Sequence, residues 1–522
     1  MQLAALDEPL AHGRGLGLVA RQLSGRHAIQ AERRHPEQDR DLGTRHRGVQ
    51  ASGAGRYERR RSDHRARTFV QRDVAKPPAP GRVRAIVRKV TSVGGALRRP
   101  GRSSRSGRSA AAAVAAIAAV TAAATLLAGC GGSSKGPPTL NWYVFPEPSG
   151  SFAKAAGDCS AASGGKYKIA INLLSTASDQ QRVSLVRRLA AGDSSIDILA
   201  MDVDWTAEFA TAKWIRPWPA APATQVTRGD LAGPIATATW NGRLYAAPLN
   251  SNTQLLWYRK DLVPSPPKTW DEMLADAIAL AKQGKPHYIE EQGAQYEGLV
   301  VWFNSLVDSA GGQILTPSNQ VVIGQSTKTA ASIMHRLATS PAADPSLNTD
   351  KEDDARTAFE KGAAAFEINY PFVWPAAAKA GIQAKMGYAL FPTVTPGTAP
   401  RVSIGGYNLG VSAYSKHPQQ AFQAIQCLTQ PANQVRDAIK GGLAPVNASI
   451  YDQPSIAQQY PFHALLKTQI ENYGIRPKTP AYADVSLAIQ KALSPTSSIN
   501  PSTVLSTLRD EIKKALSSGA LL

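Results

Sequence analysis

From residue 140 onward, apolar and polar positions alternate in ways that mark out elements. The run 140–144 (Leu, Asn, Trp, Tyr, Val) predicts a strand, and 167–173, alternating with a period of two, predicts a second. Between them, 151–159 reads as a helix. Ser178 or Asp179 caps a further helix whose apolar positions are Val183, Val186, Leu189 and Ala190, with Gly192 as its stop. Residues 196–201 form a third, mostly apolar strand. Strand, helix, strand, helix, strand predicts an open parallel α/β sheet. Ligands of such sheets bind beyond the carboxyl ends of the strands, where Asp202 and Asp204 fall.

Further along, the strand-like run 244–248 enters a polar segment, Asn250, Ser251, Asn252, Thr253 and Gln254, and then the apolar 255–258. Thr269 caps a helix carrying Met273, Leu274, Ile278 and Leu280. Residues 299–310 predict an apolar helix stopped by Gly311 and Gly312, and 364–368 a short strand. Residues 404–411 predict a strand whose glycines mark a close approach to the backbone. The tail is mostly helical.

A chain of 522 residues exceeds what one core holds, which predicts two or more domains. Its net charge of +20 suggests a nucleic-acid binder until the charge is located. Residues 1–109 contain 25 basic and 9 acidic side chains, leaving 34 basic and 30 acidic for the rest. The folded part is therefore nearly neutral, and nucleic acid is not an expected partner. Residues 1–96, rich in Arg, His and Gly, lack the apolar surface to fold and read as a disordered basic extension or a mis-set translation start.

A leader follows at 97–129. Arg98, Arg99, Arg102, Arg105 and Arg108 precede the apolar, Ala-rich run 110–128, which ends Leu127-Ala128-Gly129-Cys130. Small residues before a cut site mark a secretory peptide, and this ending resembles a bacterial lipobox, in which Cys130 is lipidated. A retained transmembrane helix is the alternative, weakened by the low hydrophobicity of alanine. Residues 130–138 read as a Gly/Ser/Pro tether. The expected location is thus extracytoplasmic, with a lipid anchor in the cell membrane. Disulfides persist there, and Cys159 and Cys427 are the one remaining pair, to be bridged or left as buried thiols.

The chain has no phosphate-binding Gly-rich loop, no Gly-x-Ser-x-Gly elbow and no His-Glu-x-x-His pair. Its four histidines beyond residue 109 (His287, His335, His417, His463) lack ligand spacing, so neither a metal nor another cofactor is expected. What the sequence offers instead is Trp142, Trp205, Trp257, Trp302, Tyr370 and Trp374 beside Asp202, Asn252, Gln254 and Glu297. Flat aromatic faces cover the C–H face of a pyranose, and planar carboxylates and amides hydrogen-bond its hydroxyls in pairs. A secreted glycoside hydrolase would line its cleft in the same way.

Four stretches carry a family resemblance: 202–209 (DVDWTAEF), 244–258 (LYAAPLNSNTQLLWY), 297–304 (EGLVVWFN) and 404–409 (IGGYNL). Over most of 139–522 the chain resembles family 1 extracellular solute-binding proteins of carbohydrate ABC importers, and within them the trehalose-binding lipoproteins of mycobacterial trehalose-recycling importers (the LpqY type). The resemblance implies an α/β fold of two lobes with a hinge and an interlobe cleft, of the maltose-binding-protein type. It implies a monomeric binding protein, not an enzyme, that captures a disaccharide, trehalose foremost and maltose or maltodextrin otherwise, for the transmembrane subunits of an ABC permease.

The same resemblance assigns residues. Asp202 and Asn252 would bond glucose hydroxyls, Glu352 and Arg476 would complete a polar ring, the Gly405–Gly406 backbone would line the cleft, and Tyr370 would be the aromatic platform. Glu297 would be a ligand contact or a structural acid. The acid expected after the first strand is displaced, with Pro148 in its place and Glu147 beside it, and 376–390 is shorter than in the trehalose group. Lobe 1 would comprise 139–248 and 400–448, and lobe 2 would comprise 249–399 and 449–522, with crossings near 247–250, 399–402 and 447–450.

Overall fold

The structure, a computed structural model, describes residues 136–519. The expected extension, the leader, Cys130 and the first part of the tether lie outside the described residues.

Thirteen strands are formed among them. In chain order they are β1 (Thr139–Val144), β2 (Lys168–Leu173), β3 (Ile198–Asp202), β4 (Thr239–Trp240), β5 (Arg243–Leu244), β6 (Ala246–Asn252), β7 (Leu255–Arg259), β8 (Tyr288–Glu290), β9 (Ala364–Asn369), β10 (Met386–Ala389), β11 (Val402–Ser403), β12 (Gly405–Val411) and β13 (Tyr473–Gly474). A five-stranded sheet, β2-β1-β3-β12-β6, forms one lobe, and a four-stranded sheet, β10-β7-β9-β8, forms the other. β11 and β13 pair with each other between them.

The alternation in β1 sends Leu140, Trp142 and Val144 inward onto the Ser151–Ala162 and Pro418–Leu428 helices. Cys159 and Cys427, one on each helix, are joined by a disulfide. On the opposite face of the sheet, Leu185, Leu189, Leu199, Met201 and Phe209 make a second core. The other lobe is built round Trp270, Trp302, Phe303 and Phe366. Thr269 starts its Trp270–Lys282 helix with a reciprocal capping box to Glu272.

Several expectations are corrected. β1, β2 and β3 are parallel, but β12 runs antiparallel to both β3 and β6, so the sheet is mixed. The Ser178–Ala190 helix starts from Ala177 with no side-chain cap, because the Ser178 hydroxyl donates to Asp202 instead (3.0 Å). Val183 is 40 % exposed, and Gln181, Leu185 and Leu189 are the inward positions. Trp142 and Trp257 on strands, Trp302 on a helix and Trp205 at the start of one are all buried core side chains. The first part of the polar segment, 250–252, belongs to β6. β6 keeps pairing with β12 as far as Asn252↔Gly405, so the chain leaves the first sheet at 253–254 rather than 247–250.

The Glu297–Ser309 helix is buried along its whole length, so its polar residues need partners. Asn304 donates to both Asp308 (3.1 Å) and the Ser403 hydroxyl (3.0 Å), and the Ser403 amide donates to Ser305 (3.0 Å). This polar face seats β11 and, beside it, β13, and so fixes the backbone leading to residue 476.

Candidate functional site

Three chain segments deliver polar groups to the space between the lobes. β3 ends at Asp202. Opposite β6, Gly406 has φ +117, and a Cβ there would lie 2.2 Å from the Asn250 carbonyl oxygen, so only glycine lets β12 approach Asn250 and Asn252 so closely. β9 ends at Asn369, whose side chain accepts from the Tyr370 amide (2.9 Å), and Pro371 then keeps Tyr370 extended.

These segments enclose a cavity of about 470 Å³. From the first lobe it is lined by Phe145, Ser178, Gln181, Asp202, Asn250, Asn252, Gly405, Gly406 and Tyr407, and from the second by Tyr296, Glu297, Lys351, Glu352, Tyr370 and Phe372, with Arg476 joining them. All eight residues to which the sequence assigns sugar contacts (Asp202, Asn252, Glu297, Glu352, Tyr370, Gly405, Gly406 and Arg476) therefore line one space. Gln254 does not. It is buried and donates to Gln292.

The polar residues differ in how much of their capacity is free. Arg476 spends its two terminal nitrogens on carboxylates, Nη2 on Asp202 (2.9 Å) and Nη1 on Glu297 (2.7 Å), with Asp204 3.5 Å from Nη1. Glu297 is filled from the other side as well, with Tyr482 donating to Oε1 and Ser486 to Oε2. Both its oxygens thus accept from the protein, while it also lines the cavity. The Asn252 side chain, by contrast, makes no hydrogen bond among the described residues and faces the cavity free.

Burial pushes the Asp202 carboxyl up, but the Arg476 charge together with hydrogen bonds from Asp204, Arg476 and Ser178 outweighs it and holds the carboxyl below the usual range. Asp204, two residues on, is pushed well above that range by burial and by the Asp202 charge. Burial raises Glu297, partly offset by Arg476, and also raises Glu352. The Tyr370 and Tyr407 phenols are raised by burial and stay protonated donors.

The aromatic surfaces are those of Phe145, Tyr296, Tyr370, Phe372 and Tyr407 rather than of tryptophans. Phe145 and Tyr407 lie 4.3 Å apart, and Lys351 sits 5.3 Å over the Tyr296 ring. Except for Tyr370, sequence reasoning missed them. The available signal was position, since Phe145 follows β1 and Tyr407 follows the Gly405–Gly406 pair. The displaced acid is explained too. Glu147 turns away to accept from the Ser149 and Ser151 amides at the start of the Ser151–Ala162 helix (2.8 and 2.9 Å), and Phe145 and Pro146 face the cavity in its place. Among the described residues, no cluster of His, Cys, Asp and Glu is arranged to hold a metal ion.

The family model for bacterial extracellular solute-binding proteins matches residues 161–435. A probable ABC transporter-binding protein of Deinococcus radiodurans is 28% identical over 358 residues, which cover 65% of this chain and 84% of that protein. Among solved structures, maltose-bound MalE3 of T. maritima superposes with a TM-score of 0.67 at 28% identity, over 72% of this chain and 99% of that one. The GacH receptor of Streptomyces glaucescens superposes at 0.64 with 19% identity, over 73% and 99%. Both share the two-lobe arrangement.

Proposed function

The chain belongs to the bacterial extracellular solute-binding proteins, and from that premise we propose that it captures an α-linked glucose disaccharide, trehalose foremost, by closing its two lobes on the sugar. Members of this family bind solutes outside the cytoplasm and are not enzymes, so the glycoside hydrolase reading falls away. One observation carries the sugar reading. A carboxylate (Asp202), an amide (Asn252), a carboxyl (Glu352) and a phenol ring (Tyr370) converge from both lobes on one cavity. Such planar groups bond vicinal hydroxyls in pairs while the ring covers a pyranose face. The wall also carries Asp353 and Asp354, and the guanidinium of Arg476 is already spent on carboxylates. That balance favours a neutral sugar over a phosphorylated or uronic one.

The trehalose assignment rests on the residue resemblance in 202–209, 244–258, 297–304 and 404–409. Maltose or a maltodextrin is the second reading, favoured by the likeness to maltose-bound MalE3. The closed, loaded form would pass its sugar to an ABC permease, and lipidation at Cys130 would hold the binding protein, a monomer, near it. Isothermal titration of the purified protein with trehalose, maltose, glucose and a β-linked disaccharide tests the assignment. Tight heat with trehalose alone is expected. Heat with maltose instead moves the substrate, and heat with none of the four overturns the sugar reading. Asp202→Ala is expected to weaken binding by roughly 10- to 100-fold, the loss of a hydrogen bond to a charged group, and unchanged affinity would remove Asp202 from the site.

A further inference from the structure

Asp202, Asp204 and Glu297 surround one guanidinium, and the side chains of Arg476, Asp202, Asp204 and Glu297 are only 4%, 13%, 5% and 9% exposed. The neighbouring cation, Arg182, is held by Glu208 through two hydrogen bonds (2.7 and 2.5 Å), so its charge is spent. Three ionised carboxylates on one cation would leave two uncompensated charges in a nearly dry wall, and like charges so close do not all ionise.

Hydrogen-bond donors single out the carboxyl that stays neutral. Asp202 accepts from Arg476 and Ser178, and Glu297 accepts from Arg476, Tyr482 and Ser486, the partners of ionised carboxylates. Asp204 accepts no hydrogen bond among the described residues. Its buried Oδ1 has no hydrogen-bond partner and lies 3.5 Å from Arg476 Nη1, farther than the Asp202 and Glu297 oxygens, and its carboxyl lies within hydrogen-bonding reach of Asp202. Unlike Asp202, it does not line the cavity.

We propose that Asp204 is a positioning residue that carries a proton at neutral pH, donates it to Asp202, and leaves Arg476 free to hold the Asp202 carboxylate ionised and aimed into the cleft. The groups facing Asp204 are Asp202 at its own strand end, Arg476 and Tyr482 from the segment after β13, Glu297 from the Glu297–Ser309 helix, Arg182 from the Ser178–Ala190 helix and Tyr407 from β12. Burial and the Asp202 charge both favour the neutral acid. The proton is lost as pH rises, and Asp204 then competes with Asp202 for Arg476.

The ligand arm of this inference rests on the sugar reading of the cleft. The test compares Asp204→Asn, which keeps a neutral group of the same shape, with Asp202→Asn, by titration with trehalose and maltose from pH 6 to 9.5. Asp204→Asn is expected to bind within about twofold of wild type at pH 7 and to lose the wild-type decline at high pH, whereas Asp202→Asn loses about tenfold or more at every pH. Equal losses for the two variants at pH 7 would overturn the proposal.

Melting curves without ligand give a second, independent readout. Protonation of Asp204 in the fold contributes stability that is lost as pH rises through its folded value. Asp204→Asn should therefore match wild type only below about pH 4 and outlast it by a margin that widens from there toward pH 9. If neither sugar binds wild type, the sugar reading fails while the melting curves still decide where the proton sits. Parallel curves for wild type and Asp204→Asn would place it elsewhere.

Discussion

Replacing Arg476 with methionine keeps the length and apolar stem of the side chain and removes the charge that Asp202 and Glu297 share at 2.9 and 2.7 Å. At an effective dielectric of about 20, a pair of unit charges some 4 Å apart gains roughly 4 kcal/mol. Two unpartnered carboxylates in this wall would instead take up protons. For a carboxyl with an ordinary value near 4, protonation costs about 4 kcal/mol at pH 7 and about 1.5 kcal/mol at pH 5, at roughly 1.4 kcal/mol per pH unit. Breaking a buried ion pair from one side costs about 3–5 kcal/mol in other proteins, so roughly 4 kcal/mol is expected here at pH 7. Asp202 is held below the ordinary range in the wild-type fold and stays ionised at both pH 7 and pH 5, so the pH dependence of the gap comes from the variant, whose carboxyls bind protons more tightly in the fold than in the unfolded chain. The gap between Arg476→Met and wild type in urea unfolding should therefore be wide at pH 7 and narrow at pH 5, and adding Glu297→Gln should recover part of it. Equal gaps at the two pH values, or none at pH 7, would refute the picture of a dry, charge-matched wall.

Gly406→Ala should cost at least about 3 kcal/mol and abolish ligand binding, since it combines a positive φ with a backbone clash. Gly405→Ala, whose Cβ would meet Asn252 Cβ at 3.5 Å and its carbonyl oxygen at 3.7 Å, both ordinary contacts, should fold as well as wild type in the same melting assay. In the second lobe, burial pushes Glu290 up to about 9, with Asp344 adding to it, and Glu367 up to about 8. Both bind a proton more tightly in the fold than in the unfolded chain, so the stability they give is complete below about pH 4.5 and is lost as the pH climbs through 8 and 9. Glu290→Gln should thus leave the melting temperature at pH 5 unchanged and raise it at pH 9. Cys159→Ser with Cys427→Ser opens a bridge spanning 268 positions and should lower unfolding free energy by roughly 2–5 kcal/mol, read by denaturant titration.

The strands of the first lobe were legible because each is a short apolar run bounded by glycine or polar punctuation, as in 140–144 and 196–201. The direction of β12 was not legible. It lies about 200 residues downstream of β3, and no local pattern states whether a distant strand enters a sheet parallel or antiparallel. Asp202, Asn252, Gly405 and Gly406 were picked out by the family resemblance, with a strand end at Asp202 and paired glycines at 405–406 as local signals, and the fold brings all four to one cavity. The tryptophans misled because an aromatic residue looks the same in sequence whether it fills a core, as Trp302 does, or faces a cavity, as Tyr370 does. Asp204 was visible at a strand end, but its part depends on Arg476, 272 positions later in the chain, and only the fold brings the two together.

The cleft therefore combines two kinds of recognition group. Asp202 is fixed before any ligand arrives, by Ser178 from its own lobe and by Arg476, which is also tied to Glu297 of the other. Its side-chain entropy is lost in folding, so a hydroxyl meeting it incurs little ordering cost. Asn252 makes no side-chain hydrogen bond among the described residues and would be ordered by the ligand itself, at about 0.5–1.5 kcal/mol for such a side chain. A ligand favours closure only through contacts that the closed state adds. A sugar held by Asp202 and Asn252 alone would touch one lobe and leave the ratio of open to closed forms unchanged, so the closing energy would have to come from Glu352 and Tyr370 across the cleft. On the proposed disaccharide reading, a single hexose seated against Asp202 would lack that second set of contacts, and the two-ring length of the sugar, more than any one hydrogen bond, would be what the cleft selects.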